Sequence, residues 1–106
     1  MDNCIFCQIV SGKIPGNFIY QDDAVMVIRD IHPQAPVHLL VIPKKHIAEF
    51  IDADEATVAM MMAVTKKMIQ EQHITNYRLV NNGQGAAVID HIHLHILGKV
   101  DKLRAL

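Results

Sequence analysis

Hydrophobic and polar positions along the chain follow two periods, and the switches between them predict five strands and two helices. Phe18 to Gln21 and Ala24 to Arg29 read as two strands around the turn-prone Asp22-Asp23. His38 to Pro43 is a near-continuous apolar run bracketed by Pro36 and Pro43, which predicts a third strand buried at the centre of a sheet. From Asp52-Ala-Asp54-Glu55 to about Gln72 the pattern turns helical. Val58, Met61, Met62, Thr65, Met68 and Ile69 share one apolar face for core or dimer packing, and Lys66 and Lys67 lie on the solvated side. Residues near Cys4 to Val10 predict a short helix, stopped by Ser11-Gly12 and Pro15-Gly16. Tyr77 to Asn81 and His91 to Gly98 are the fourth and fifth strands, joined by the loop Asn82-Gly83-Gln84-Gly85, rich in residues that accept positive φ. Strands, then one long helix, then strands predict an α+β fold with a five-stranded, mainly antiparallel sheet, in one domain over residues 1–106.

The fifth strand carries an unusual alternation, His91-Ile-His93-Leu-His95. A two-residue period puts the three imidazoles on one face and turns Ile92, Leu94 and Ile96 toward a core. Histidine adds little to packing, but near neutral pH it moves protons, binds metal or attacks phosphorus. A solvent-facing stripe is the plain alternative.

Composition narrows the ligand. A net charge of -1 and the absence of tryptophan argue against nucleic-acid binding by a basic field or by stacked bases. Any phosphate must be held by local groups, and the glycine-bearing loop before the histidines is the natural place for backbone N–H donors. No run is long and apolar enough for a membrane span, and no leader is read at the start, so the expected setting is cytoplasmic. There a structural disulfide between Cys4 and Cys7 is not expected, and the pair points to metal or redox chemistry. Two soft ligands at a helix start are half a zinc site, for which His46 and His91 are the best remaining candidates; the competing reading is a reduced, inert pair. Asp30, after the second strand, could bind a ribose diol or simply cap a turn. His32 and His73 read as surface residues, and Lys44-Lys45 as a solvated turn.

Cys4-Ile-Phe-Cys7, Ile14-Pro15, Asp30-Ile31-His32-Pro33-Gln34-Ala35-Pro36, His38 to His46 and His91 to Leu97 together resemble the histidine triad (HIT) superfamily. Pro33-Gln34-Ala35-Pro36 and His95-Ile-Leu97-Gly98 are most similar to its Hint branch, the nucleoside phosphoramidases. The resemblance implies homodimerisation into a ten-stranded sheet and a purine nucleotide in a cleft beside the triad. It implies His93 as the nucleophile that forms a nucleotidyl-histidine, His95 at the phosphate and leaving group, and His38 and His91 in support. It further implies Ile5, Phe6 and Ile31 as the base pocket, Asp30 on the ribose, Asn81 near the scissile phosphate, and Cys4, Cys7, His46 and His91 as ligands of a structural zinc ion.

One segment departs from the family pattern. Ala86-Ala87-Val88 stands where relatives usually carry Gly-Gln followed by Ser, Thr or Glu, and Asn81 to His91 is one residue short. The side chains that would hold the leaving group are thus missing unless Gln84 takes that role. A hydrolase of purine nucleoside phosphoramidates is the leading expectation. The alternatives are a nucleotide-binding protein with little turnover and a zinc-stabilised interaction module.

Overall fold

The apolar run ending at Pro43 lies at the middle of the sheet in the computed structural model, which describes residues 3–106. The strands are β1 (Phe18–Gln21), β2 (Val25–Arg29), β3 (Val37–Pro43), β4 (Arg78–Asn81) and β5 (Leu94–Gly98), in the order β1-β2-β3-β5-β4 with every pairing antiparallel. Two helices cover the sheet, α1 (Ile5–Val10) and α2 (Glu55–Glu71). Alternation explains how β2 and β3 are buried on both faces. Val25, Val27, Leu39 and Val41 join Met61, Val64 and Met68 beneath α2, whereas Met26, Ile28, Leu40 and Ile42 pack with Phe6 of α1. Ile92, Leu94 and Ile96 enter the α2 core, as their alternation with the histidines predicts.

Three expectations need correction. The fifth strand starts at Leu94, not His91, because its partner runs out: Pro43 has no N–H to give, and its carbonyl accepts from the His91 ring at 2.7 Å. The long helix starts at Glu55. Phe50–Asp52 forms a separate 3-10 turn, Ala53 is extended, and Asp54 is the cap, its carboxylate accepting the Thr57 N–H at 2.8 Å. Met62 is on the exposed side of α2, and Thr57 and Val64 take its place in the buried face with Met61, Thr65 and Met68. Thr65 tolerates burial because its hydroxyl donates to the Met61 carbonyl at 2.7 Å.

Gly98 ends β5 opposite Val37, where a Cβ would lie 2.7 Å from Ile74 Cγ2 and 2.9 Å from Val37 Cβ. Gly98→Ala should therefore cost about 1–3 kcal/mol in urea unfolding, the range for overpacking a tight site. An unchanged midpoint would show that β5 can shift freely at this end.

Candidate functional site

The cleft-facing residues of β3 and β5 bring two histidines together. Leu40 pairs with His95 across the strands and His38 pairs with Leu97, so the two rings lie on one diagonal, with His38 Nε2 2.8 Å from His95 Nδ1. His91 and His93 precede the strand but keep the alternation, and both rings meet Phe6 edge-on, at centroid distances of 5.6 and 5.2 Å. His93 and His95 line one wall of a cleft of about 490 Å³. Ile5, Phe6 and Ile31 supply its apolar side and Asp30 its rim.

Backbone groups decide which nitrogen of each ring carries hydrogen. The His91 carbonyl faces His93 Nδ1 at 2.8 Å, so Nδ1 is the donor and Nε2 keeps its lone pair for the cleft. The Pro43 carbonyl likewise fixes the hydrogen on His91 Nε2 and frees Nδ1. At His38 the order reverses. Gln34 N–H donates to Nδ1 at 3.0 Å, so Nε2 bears the hydrogen and gives it to His95 Nδ1, leaving the His95 hydrogen on Nε2. Asn82 Nδ2 lies 3.4 Å from that nitrogen, donor to donor, and turning the side-chain amide over presents its oxygen as the acceptor.

Burial favours the neutral form of the His38 and His95 rings. It lowers the His95 pKa to about 4, with the charges of His93 and His38 acting in the same direction. It also lowers that of His38, against an upward pull from Asp30. The 3.5 Å contact of Asp30 Oδ2 with His38 Nε2 is therefore not an ion pair at neutral pH, and the hydrogen there points to the nearer His95. Asp30 also caps its own turn, accepting the His32 N–H at 2.8 Å. Asp30, His38 and His95 could be taken for a metal triad, but the Gln34 donor keeps hydrogen on the nitrogen a metal would need.

Unfolded histidine titrates near about 6.5, and folded His95 at about 4. Between those values the unfolded chain binds more protons, so this contribution is complete above about 6.5 and is lost as pH falls toward 4. The slope should reach up to about 1.4 kcal/mol per pH unit per group. Urea midpoints from pH 7 to 4 should fall less steeply in His95→Gln, and equal slopes would remove His95 as the cause.

Behind the triad, a second cluster forms. Cys4 caps α1, and its Sγ accepts the Cys7 N–H at 3.5 Å, which places both sulfurs at one helix end. Cys7 Sγ is 3.3 Å from His46 Nδ1 and 3.6 Å from His91 Nδ1, and Cys4 Sγ is 3.4 Å from His91 Nδ1. All four ligand atoms lie within 4.8 Å of one another. A tetrahedral ion with bonds of about 2.3 Å to sulfur and about 2.0–2.1 Å to nitrogen needs S–N edges of roughly 3.6 Å. The donor set fits a metal of that kind, and His91 presents the correct nitrogen to it.

Two asparagines and the loop after β4 flank the triad. Asn81 stands behind the triad, its amide donating to the His93 carbonyl at 3.0 Å, and Asn82 is the loop amide on the cleft wall. Gln84 is exposed, while Ala86 and the fully exposed Val88 line the cleft with apolar groups. The Ala86 N–H is already committed to the Gly83 carbonyl at 2.9 Å. His32 and His73 are exposed as predicted, though His32 also reaches the cleft rim. Sequence reasoning missed Asn82, whose only signal was its place beside Asn81.

A histidine with a free lone pair, a second with a directed hydrogen, and an apolar cleft beside both define a histidine-triad type of site. Comparison with known proteins agrees. The HIT domain model matches residues 11–102, and the chain belongs to the HIT family. It is 38% identical to the purine nucleoside phosphoramidase of Escherichia coli strain K12, over 92% of this chain and 87% of that protein. The crystal structure of a HIT family hydrolase from Legionella pneumophila Philadelphia 1 superposes with a TM-score of 0.86 at 42% identity, covering 93% of this chain and 95% of that one. A Zn-bound histidine triad family protein from Mycobacterium smegmatis does so with a TM-score of 0.86 at 34% identity, covering 97% and 79%. Among the described residues, no helix is long and apolar enough to cross a membrane.

Proposed function

We propose that the protein hydrolyses purine nucleoside phosphoramidates through a nucleotidyl-histidine on His93. The observation that carries this reading is the bond from His93 Nδ1–H to the His91 carbonyl, which leaves Nε2 as an unprotonated nucleophile at the cleft. Nε2 attacks the α-phosphorus and the P–N bond to the leaving amine breaks, its electron pair departing with nitrogen. Water then attacks phosphorus, frees His93 and supplies, in net, the hydrogen that the amine carries away. His95 Nε2–H, with Asn82 beside it, holds the leaving group or a phosphate oxygen. Ile5, Phe6 and Ile31 receive the base, and Asp30 the ribose hydroxyls.

Cys4, Cys7, His46 and His91 would hold a structural zinc ion. When bound, it supplies a fixed crosslink and no open coordination position. Reduced cysteines serving as ligands suit a cytoplasmic setting. We also propose a homodimer, supported by the open edge of β4 and the exposed Leu79, Met60 and Met62; light scattering tests it.

The direct experiment mixes the protein with a fluorogenic nucleoside phosphoramidate and follows released amine. The apolar Ala86 and Val88 favour one rival reading, nucleotide binding with little turnover. Nucleotide affinity without amine release would establish that rival. If the loop limits a working enzyme, Ala86→Gly, Ala87→Gln and Val88→Ser together should raise kcat about ten- to a hundredfold on an amine-leaving substrate, the worth of one restored donor. A folded triple variant no faster than wild type would show that the loop does not limit expulsion of the amine.

A further inference from the structure

The hydrogen on His95 depends on a chain of contacts that begins outside the cleft. His95 Nε2 carries it because Nδ1 accepts from His38, and two groups keep the hydrogen on His38 Nε2: the Gln34 N–H that occupies Nδ1, and Asp30 Oδ2, 3.5 Å from Nε2. Gln34 sits in an exposed loop between β2 and β3, and the neighbouring side-chain contacts there are local: Gln34 Nε2 donates to the His32 carbonyl at 3.1 Å, and His32 N–H to Asp30. The tie from far along the chain is Arg104, whose guanidinium Nη1 donates to the Gln34 carbonyl in a short hydrogen bond. Arg104 is itself anchored. Its carbonyl accepts from Arg78 Nη2 at 2.7 Å, the next carbonyl, Ala105, accepts from Arg78 Nη1 at 3.1 Å, and its N–H donates to the Asp101 carbonyl at 2.9 Å. Arg78 belongs to β4, so the chain of bonds runs from the sheet edge through Arg104 to Gln34, His38 and His95.

We propose that Arg104 is a positioning residue for the triad: by holding the Gln34 carbonyl, it keeps the Gln34 N–H on His38 and hence the hydrogen on His95 Nε2. A charged donor on a neutral carbonyl is a stronger hold than the neutral bonds within the loop. Without it the loop can turn its N–H away, Asp30 alone then biases the His38 hydrogen toward Nε2, and the other tautomer becomes populated. In the tautomer with hydrogen on Nδ1, His38 no longer donates to His95, and the His95 hydrogen is no longer directed at the cleft. The consequence for leaving groups rests on the hydrolase reading given above; the tautomer itself does not.

Two measurements on the metal-loaded full chain separate these. Long-range proton–nitrogen correlation spectra report the tautomer of each histidine without any substrate. Wild type should show hydrogen on Nε2 of both His38 and His95. Arg104→Ala should show a mixture at His38, and Arg104→Lys should restore most of the wild-type pattern. Turnover should then be compared on a nucleotidyl substrate with a poor amine leaving group and on one with a nitrophenolate that leaves unaided. Arg104→Ala should lower kcat on the amine about tenfold, the scale of one directed hydrogen bond, and change the nitrophenolate rate less than about twofold. Lys102→Ala, an exposed charge removed from the same segment, should alter neither. An unchanged His38 tautomer in Arg104→Ala overturns the proposal, as does an equal loss on both substrates. If wild type hydrolyses neither compound, the hydrolase reading fails while the spectra still decide the role of Arg104.

Discussion

His93→Ala is expected to lose at least about a thousandfold in the release of amine from a nucleoside phosphoramidate, with the fold preserved. Removing a covalent nucleophile costs orders of magnitude because the remaining route, direct attack by water, lacks an activated partner. The three histidines packed around it cannot substitute. His91 gives Nε2–H to Pro43 and turns Nδ1 to the sulfurs, His38 has both nitrogens engaged, and His95 has only Nε2–H, without a lone pair, toward the cleft. Stability should suffer less, although His93 is buried and its loss leaves the His91 carbonyl without its partner. His93→Asn is the cleaner variant, because its side-chain amide can still donate to that carbonyl yet cannot attack phosphorus. Both variants should retain nucleotide affinity within a few-fold, measured by calorimetry. Retention of a tenth of wild-type activity in either would remove His93 from the nucleophile's role.

Much of this site is legible in the chain because its signals are local. Cys4 and Cys7 are one helical turn apart, and a period of two residues keeps His91, His93 and His95 on one side whether or not a ladder forms. The central place of β3 follows from an apolar run that only a strand covered on both faces can satisfy. What sequence could not supply is the partner of each backbone group. Whether the histidine segment begins as strand depends on Pro43, 48 positions earlier and beyond any local rule, and the same carbonyl that ends the ladder fixes the His91 ring. Ring hydrogens are assigned by Gln34, Pro43 and His91 main-chain atoms, which have no residue-type signature. Asn82 and Asn81 could not be ranked, since strand alternation decides which of two adjacent amides faces the cleft. Arg104 shows no pattern at all: one exposed arginine near Leu106 becomes informative only when its carbonyl partner is known.

Removing Cys4, a ligand of the proposed metal ion, should produce the opposite phenotype to removing His93: a less stable protein whose proposed chemistry still proceeds when cold. The four ligand atoms come from α1, from the segment after β3 and from the segment before β5, so an ion there crosslinks regions that are distant in sequence. Each tenfold loss of affinity for a saturating ligand costs about 1.4 kcal/mol of stability, and losing a direct ligand should cost at least a hundredfold. That amounts to about 2.7 kcal/mol, or roughly 10–20 °C in the melting midpoint of a domain of this size. Burial, together with the hydrogen bond and charge of Cys4, pushes the Cys7 thiol up, so the metal-free cluster would keep Cys7 protonated and weakly held. A bound cation reverses that preference, which is why the stabilisation belongs to the loaded protein. Catalysis is affected only through His91, whose carbonyl holds the His93 ring, and that ring remains clamped by Phe6. Cys4→Ser should therefore lose less than about tenfold in activity at low temperature. A chelator should lower the melting midpoint of wild type by more than that of Cys4→Ser and so bring the two together. Equal midpoints for wild type and Cys4→Ser, with less than about a tenth of an equivalent of zinc in either, would mean that the Cys-His cluster holds the fold through hydrogen bonds alone.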